Sequence, residues 1–142
     1  MYIDTQETFA EGQAVASAAG DVVSTNVYDT GAAADVGNGE TMILYAKTGT
    51  ALAGAGSSIQ VVLQHSADNV TFTDAATGPV VALAAAVANE NIARIKLPIG
   101  LLRYLRVAFR ISGATATGGT ASAYLVKDVD YNVAYRSGVS AT

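Results

Sequence analysis

Residues 101–111 read Leu-Leu-Arg-Tyr-Leu-Arg-Val-Ala-Phe-Arg-Ile, and this stretch decides the fold class. From position 105 onward every second residue is apolar, namely Leu105, Val107, Phe109 and Ile111. The positions between them and just before them hold Tyr104, Arg106, Ala108 and Arg110. Side chains of a β-strand alternate between two faces, so the pattern predicts a strand with one face on a core and the other toward water or a partner. A helix would spread the same residues around its whole circumference.

Similar alternation, bounded by turn residues, recurs along the rest of the chain. It predicts strands at residues 22–29, 41–47, 59–66, 70–73, 80–83, 92–97, 101–111 and 121–129. Residues 84–91 fit either one helical turn or a loop. About eight short strands at this spacing are typical of an all-β protein in which two antiparallel sheets pack as a sandwich. Eight strands favour a jelly roll over a seven-stranded immunoglobulin sandwich, and the sequence leaves the connectivity open.

The same pattern divides the chain into three parts. Residues 1–20 lack both strand and helix periodicity, and they predict an extended N-terminal arm that lies along a surface. Residues 21–130 form the predicted sandwich, and residues 131–142 form an exposed C-terminal tail. Removing the arm is therefore expected to weaken contacts with neighbours more than it weakens folding.

Composition narrows the range of functions. The chain has 142 residues, a formal net charge of -4 and no Cys, which excludes a disulfide framework and thiolate catalysis. Its acidic balance disfavours nucleic acid and acidic membranes as partners. No apolar run approaches the roughly 20 residues that cross a bilayer, and the acidic start differs from a signal peptide, so we expect synthesis in a cytoplasm. Only 14% of the residues are charged, which is low for a free-standing domain and indicates a surface partly covered by a partner.

Residues suited to catalysis or cofactor binding are sparse. The Gly-rich segment 48–58 lacks the Lys of a phosphate-binding loop, and the single histidine, His65, fits a structural role better than a catalytic one. Asp128 and Asp130 would share one face of a strand and could hold a hard cation or serve a small hydrolase. A solvated strand end explains this pair more simply. We therefore predict no enzyme activity, no catalytic residue, no cofactor and no metal site.

Charge is segregated along the chain. Residues 1–46 hold seven acids and no Lys or Arg, whereas residues 91–127 hold six cations and no acid. The two segments either neutralise each other within the fold or meet across a subunit contact, where opposed charges steer association. For the second alternative, the predicted interface residues are Asp4, Glu7, Glu11, Arg94, Lys96, Tyr104, Arg106 and Arg110. Because Arg106 and Arg110 point away from the predicted core, reversing both to Glu should weaken assembly and leave the fold intact.

Four segments together resemble a known family. They are Met-Tyr-Ile-Asp-Thr-Gln at 1–6, Ser-Thr-Asn-Val-Tyr-Asp-Thr-Gly at 24–31, Val-Val-Leu-Gln-His-Ser at 61–66 followed by Asp68 and Asn69, and Leu-Leu-Arg-Tyr-Leu-Arg-Val at 101–107. In their order and spacing they resemble the small jelly-roll capsid cement (decoration) proteins of tailed bacteriophages. The likeness covers nearly the whole chain.

The resemblance implies a structural virion protein without catalytic residues. Such a protein is made in the host cytoplasm, binds the outer surface of an icosahedral capsid and bridges neighbouring major capsid subunits. It also self-associates, as a homodimer at two-fold positions. Nucleic acid and membranes are not expected partners. The strand pattern and the Tyr residues leave one alternative open, a carbohydrate-binding jelly-roll module of a phage tail or adhesin.

Overall fold

The strand that contains the deciding stretch lies inside a sheet, with a neighbour on each side. In the computed structural model, which describes residues 4–32 and 42–127, this strand spans Tyr104–Gly113. It begins three residues later than predicted, and just before it the backbone N–H of Leu102 donates to Nδ1 of His65 at 3.3 Å. The predicted alternation is confirmed, because the odd-numbered apolar side chains are buried and the arginines between them are partly exposed.

Nine strands and one short helical turn account for the regular structure in the described residues. The strands are β1 (Thr8–Ala14), β2 (Gly20–Val23), β3 (Tyr28–Asp29), β4 (Ile43–Thr48), β5 (Ser57–Ser66), β6 (Thr73–Ala82), β7 (Asn91–Lys96), β8 (Tyr104–Gly113) and β9 (Thr120–Val126). A 3-10 turn at Leu83–Ala85 follows β6. Within the described ranges, no helix has the length and apolar content needed to cross a membrane.

The strands form two antiparallel sheets that pack face to face. Sheet A has the order β1-β9-β4-β7, and sheet B has the order β2-β8-β5-β6, with β3 also paired to β8. β1, the first strand, pairs with β9, the last. β2 and β3, counted as one interrupted strand, pair with β8. The nesting continues inward through β4 with β7 to the β5–β6 hairpin. This nested pairing is the connectivity of a jelly roll, and the predicted all-β sandwich is confirmed.

The core lies between the two sheets. On β4, Leu44 and Ala46 are fully buried, whereas Tyr45 between them is half-buried on the outer side. Phe9 from sheet A and Phe109 from sheet B are the largest fully buried side chains. Burial of a large apolar side chain contributes about 1.5–3 kcal/mol. Repeated over both inner faces, such burial supports the sandwich without disulfides.

The segment predicted as a separate arm contributes a strand to the sandwich. β1 pairs with β9 at the edge of sheet A, and Phe9, Ala10 and Val15 are fully buried. The structure thus differs from the predicted division at residue 21, because the sandwich already includes β1. The β1–β9 pairing has two register shifts and Gly12 has a positive φ of 57°, which interrupts the alternation by which a strand is recognised. The predicted tail, residues 131–142, lies outside the described residues.

Two predicted strand boundaries also differ from the structure. The predicted strand 22–29 is divided between β2 and β3. Two separate strands were predicted at residues 70–73 and 80–83, because Gly78 and Pro79 between them usually end a strand. The structure has the single strand β6 in this region. Pro79 is tolerated because β6 lies at the edge of sheet B and because the β5–β6 register shifts between positions 60 and 62, opposite the Gly-Pro pair. Residues 84–91 were predicted to form either one helical turn or a loop, and the 3-10 turn Leu83–Ala85 extends into the start of this segment.

Candidate functional site

Arg110 is the centre of a polar network on the outer face of sheet B. It lies on β8 opposite Asp21 of β2, and its Nε and Nη2 donate to the two carboxylate oxygens of Asp21 at 2.7 and 2.9 Å. Its Nη1 and Nη2 also donate to the carboxylate of Asp74 on β6 at 2.9 and 3.2 Å. One guanidinium on β8 therefore binds the neighbouring strand β2 on one side and, across β5, the edge strand β6 on the other.

Gln64 extends this network toward Arg106. Its amide nitrogen donates to Asp74 at 2.9 Å, and its amide oxygen accepts a hydrogen bond of 2.8 Å from Nε of Arg106. The guanidinium carbon of Arg106 lies 3.9 Å from the centroid of the Phe72 ring, a close cation–π contact. Together these residues form what we call the Arg110 network, consisting of Asp21, Gln64, Asp74, Arg106 and Arg110.

Electrostatics within the Arg110 network favour the charged forms. Hydrogen bonds from Arg110 and then from Gln64 hold the pKa of Asp74 below its ordinary value. Hydrogen bonds to Asp21 and Asp74 raise the pKa of Arg110. A general acid or base works best when its pKa lies near the working pH. The pKa values of Asp74 and Arg110 are shifted away from neutrality, so neither group meets this requirement at neutral pH.

The segregated charges are partly neutralised within the fold. Asp21 with Arg110, and Asp29 with Arg103, join the acidic segment to the basic one as ion pairs. The Arg103 pair is bidentate, with distances of 2.8 and 2.9 Å, and its hydrogen bond is the main cause that lowers the pKa of Asp29 to about 2. Arg103 also lies over the ring of Tyr104, 5.0 Å from its centroid. These pairs therefore follow the first alternative that the sequence left open, in which the acidic and basic segments neutralise each other within the fold.

The structure changes the expectation for reversing Arg106 and Arg110 to Glu. Both side chains do point away from the core and are partly exposed. A Glu at position 110, however, would place a third carboxylate beside Asp21 and Asp74. Because Arg110 holds strands together, we expect its reversal to destabilise the fold as well.

The predicted basic interface residues are distributed over both outer faces. Arg94 and Lys96 lie exposed on β7 at the edge of sheet A, on the opposite side of the sandwich from the Arg110 network. The guanidinium carbon of Arg94 lies 5.8 Å from the ring centroid of Tyr45 on β4. Tyr104, in contrast, shares β8 and its outward face with Arg106. These residues therefore do not form one continuous basic surface.

The predicted acidic interface residues lie at the other edge of sheet A. Glu11 is exposed on β1, and Asp4 and Glu7 immediately precede that strand. In the described part of the chain, neither Glu7 nor Glu11 forms a salt bridge. Sheet A therefore carries acids along its β1 edge and cations along its β7 edge. An open polar cleft of about 340 Å³ beside β1 is lined by Thr5, Thr8, Glu11, Thr25 and Asn26.

The residues considered for catalysis have structural partners or lie outside the described ranges. Nδ1 of His65 accepts the backbone hydrogen bond from Leu102, which ties β5 to the loop before β8. Across residues 4–32 and 42–127, no group of three or more His, Asp or Glu is placed to hold a metal ion. Asp128 and Asp130 lie outside these ranges.

Two loops expose apolar side chains that the sequence interpretation did not single out. Val70 in the β5–β6 loop is 80% exposed, and Ile99 in the β7–β8 loop is 90% exposed. Phe72, two residues after Val70, supports the guanidinium of Arg106. Val70 was included in a predicted strand, where an apolar residue is unremarkable. Ile99 lies between a Pro and a Gly, a turn context in which an apolar side chain is expected to be exposed.

These features define a class of protein, a jelly-roll β-sandwich with charge networks and exposed apolar loops on its surface. The Bbp16 family model matches residues 9–125, which is most of the chain, and the chain belongs to the Bbp16 family. A comparison with curated proteins finds no match.

Proposed function

We propose that this protein is a structural virion protein that binds the outer surface of an icosahedral phage capsid and cements neighbouring major capsid subunits. The sequence resemblance motivates the proposal. One structural observation supports it most: the Arg110 network spreads partly exposed polar groups over the outer face of sheet B, where they can meet another surface. The network includes Arg106 and Arg110, with Phe72 against Arg106, and Arg and aromatic residues are enriched at protein interfaces.

Cementing requires binding and no chemical step. A protein that binds the assembled shell but not its dissociated subunits stabilises the shell by mass action, by about 2.7 kcal/mol per site at a free concentration one hundred times Kd. Many identical contacts on one capsid multiply this effect. The ionised state of Asp74 and Arg110 suits the task, because such contacts keep their charge across the neutral range.

Reconstitution on capsids tests the proposal directly. Purified protein is added to heads that lack it, and binding is measured by co-sedimentation while shell disruption is followed by calorimetry. We expect saturable binding and a higher disruption temperature. Unassembled major capsid protein serves as the control and should not bind. Protein that stays in the supernatant at every concentration, with an unchanged disruption temperature, would contradict the proposal.

Self-association as a homodimer forms part of the same proposal. β1 and β7 are opposite edges of sheet A. A two-fold axis that runs parallel to the strands, opposite the middle of the outer face of this sheet, would stack the acidic edge of one copy over the basic edge of the other. Symmetry makes this contact twice. Glu7 and Lys96 lie at the same level along the strands of sheet A. Glu7→Lys and Lys96→Glu should each weaken the dimer in sedimentation equilibrium, and the double variant should restore it. A wild-type protein that is monomeric at all concentrations would count against the dimer.

A carbohydrate-binding module is the second candidate function, and the polar cleft beside β1 favours it. Hydroxyl, amide and carboxylate groups line this cleft, and its size of about 340 Å³ falls within the usual range for small-ligand sites. A glycan array is the test, with Asn26→Ala as the cleft variant. Saturable binding that Asn26→Ala abolishes would support this function, and no binding to any glycan would eliminate it.

A further inference from the structure

Two loops meet at one end of sheet B. β5 and β8 are antiparallel neighbours, and Ser66 at the end of β5 pairs with Tyr104 at the start of β8. The loop after β5, residues 67–72, therefore lies beside the loop before β8, residues 97–103. The hydrogen bond between Leu102 and His65 joins the second loop to β5. We call this surface the loop end, which comprises residues 67–72 and 97–103 together with Tyr104 and Arg106.

The loop end presents apolar side chains on a turn whose conformation is fixed. Val70 and Ile99 are 80% and 90% exposed, the two highest values among the large apolar side chains of the described residues. The carboxylate of Asp68 accepts hydrogen bonds of 2.9 Å from the backbone N–H groups of Val70 and Thr71, and one of 2.8 Å from the Ser66 hydroxyl. An ordered turn loses little conformational entropy on binding, so Val70 is already prepared for a partner.

Arg106 adds a cation whose outward side is not satisfied by the described residues. Phe72 supports its guanidinium, and Gln64 accepts its Nε–H. Within residues 4–32 and 42–127, its Nη1 and Nη2 groups have no acceptor, whereas Arg103 and Arg110 each bind carboxylates with theirs. Arg106 is therefore held by two contacts while its side chain stays partly exposed, and its Nη1 and Nη2 groups can bind a carboxylate of a partner.

We infer that the loop end is the surface that docks on the capsid shell. Ile99 and Val70 enter an apolar depression on the shell, and Arg106 binds a shell carboxylate beside it. This inference rests on the proposed function and identifies the part of the molecule that performs it.

The occupant is a protein surface and not a phosphate-bearing one, for two reasons. The chain has a net charge of -4, which repels nucleic acid and anionic membranes as a whole. Two large exposed apolar side chains at the same loop end as the cation also favour an apolar counterpart, and Arg is among the residues enriched at the centre of protein interfaces. A carboxylate at the rim of an apolar depression meets both requirements.

Binding of single variants to heads that lack the protein tests this inference. Ile99→Ser and Val70→Ser remove exposed side chains and should leave folding unchanged, and Arg106→Gln removes the outward guanidinium edge. Each variant should bind at least about tenfold more weakly, the loss typical of a hot-spot side chain. Urea unfolding of each variant separates a binding defect from a folding defect.

Two matched controls share the chemistry but not the position. Val87→Ser makes the same change on a valine that is 53% exposed near the opposite end of the sandwich. Lys47→Gln removes one positive charge from the outer face of sheet A. Both controls should bind heads as wild type does.

The outcomes separate the inference from the proposed function. Wild-type protein that fails to bind heads would overturn both. Wild-type binding together with unchanged binding by Ile99→Ser, Val70→Ser and Arg106→Gln would leave the proposed function standing and overturn the docking assignment. Variants that lose self-association but keep head binding would make the loop end a contact between copies of this chain, which also overturns the assignment.

Discussion

Replacing Arg110 should weaken the fold itself, although its side chain lies on the outer face of a sheet. Arg110→Met keeps most of the aliphatic stem and removes four hydrogen bonds, two to Asp21 and two to Asp74. The three side chains of Arg110, Asp21 and Asp74 are 30–39% exposed, so water screens the two ion pairs in part. The loss should therefore be moderate but measurable.

The expected magnitude follows from this geometry. Partly exposed ion pairs contribute about 0.2–1 kcal/mol each. Two carboxylates left side by side without their cation add a similar cost, so Arg110→Met should lower the free energy of unfolding by about 1–2 kcal/mol. Arg110→Glu adds a third carboxylate. Like charges about 4 Å apart cost about 1 kcal/mol per contact even at the dielectric constant of water, so the total loss should be at least about 3 kcal/mol. Each kcal/mol should lower Tm by roughly 3–4 °C in a domain of this size.

Urea and thermal unfolding, followed by circular dichroism at low salt, measure these losses. Arg103→Met is the control, because it also removes a bidentate arginine pair. The side chains of that pair are 42% and 44% exposed, and the pair joins β3 only to the residue just before its neighbour β8. Its loss should be smaller than that of Arg110→Met. In about 1 M salt the gap between Arg110→Glu and Arg110→Met should narrow, because charges are screened beyond about 3 Å. An Arg110→Glu variant as stable as wild type would refute the reasoning.

Three further predictions concern other parts of the fold. Phe9→Ala should lower the free energy of unfolding by about 3–5 kcal/mol in urea titrations, because it empties a fully buried site in β1; a loss below about 1 kcal/mol would favour a separate arm. Gly119→Ala should lower the free energy of unfolding by about 3 kcal/mol or more, because the φ of Gly119 is +108° and an added Cβ would lie 2.5 Å from the Leu52 side chain. Gly12→Ala should lower it by only about 1 kcal/mol, because Gly12 has a φ of +57° and open space around it. Equal losses for the two variants in the same assay would contradict this account. Backbone hydrogen bonds lower the pKa of Asp68 from 3.8 to about 2, so the stability it contributes is complete above about pH 4 and is lost as the pH falls toward 2. Nuclear magnetic resonance titration should place its midpoint near 2, and Asp68→Asn should flatten the stability curve in that window; a midpoint near 4 would contradict the prediction.

Sequence alone predicted the features that depend on local periodicity. The alternation in residues 101–111 predicts β8 and its buried face, since the side chains of a strand alternate whatever it pairs with. The same reasoning placed β4, β5, β7 and β9 and favoured a two-sheet sandwich. It failed at β1, where bulges break the period, and at β6, where Pro79 signals a break that an edge position makes harmless.

Only the tertiary structure decided which cations remain available to a partner. Along the sequence, Arg103, Arg106 and Arg110 are interchangeable members of one basic strand. The fold brings Asp29 to Arg103, and it brings Asp21 and Asp74 to Arg110. Arg106 instead contacts Gln64 and Phe72, so its Nη1 and Nη2 groups stay available to a partner. These partners lie 34 to 89 positions away along the chain and are set by strand register, so no local pattern could reveal which charge is neutralised and which is left to bind.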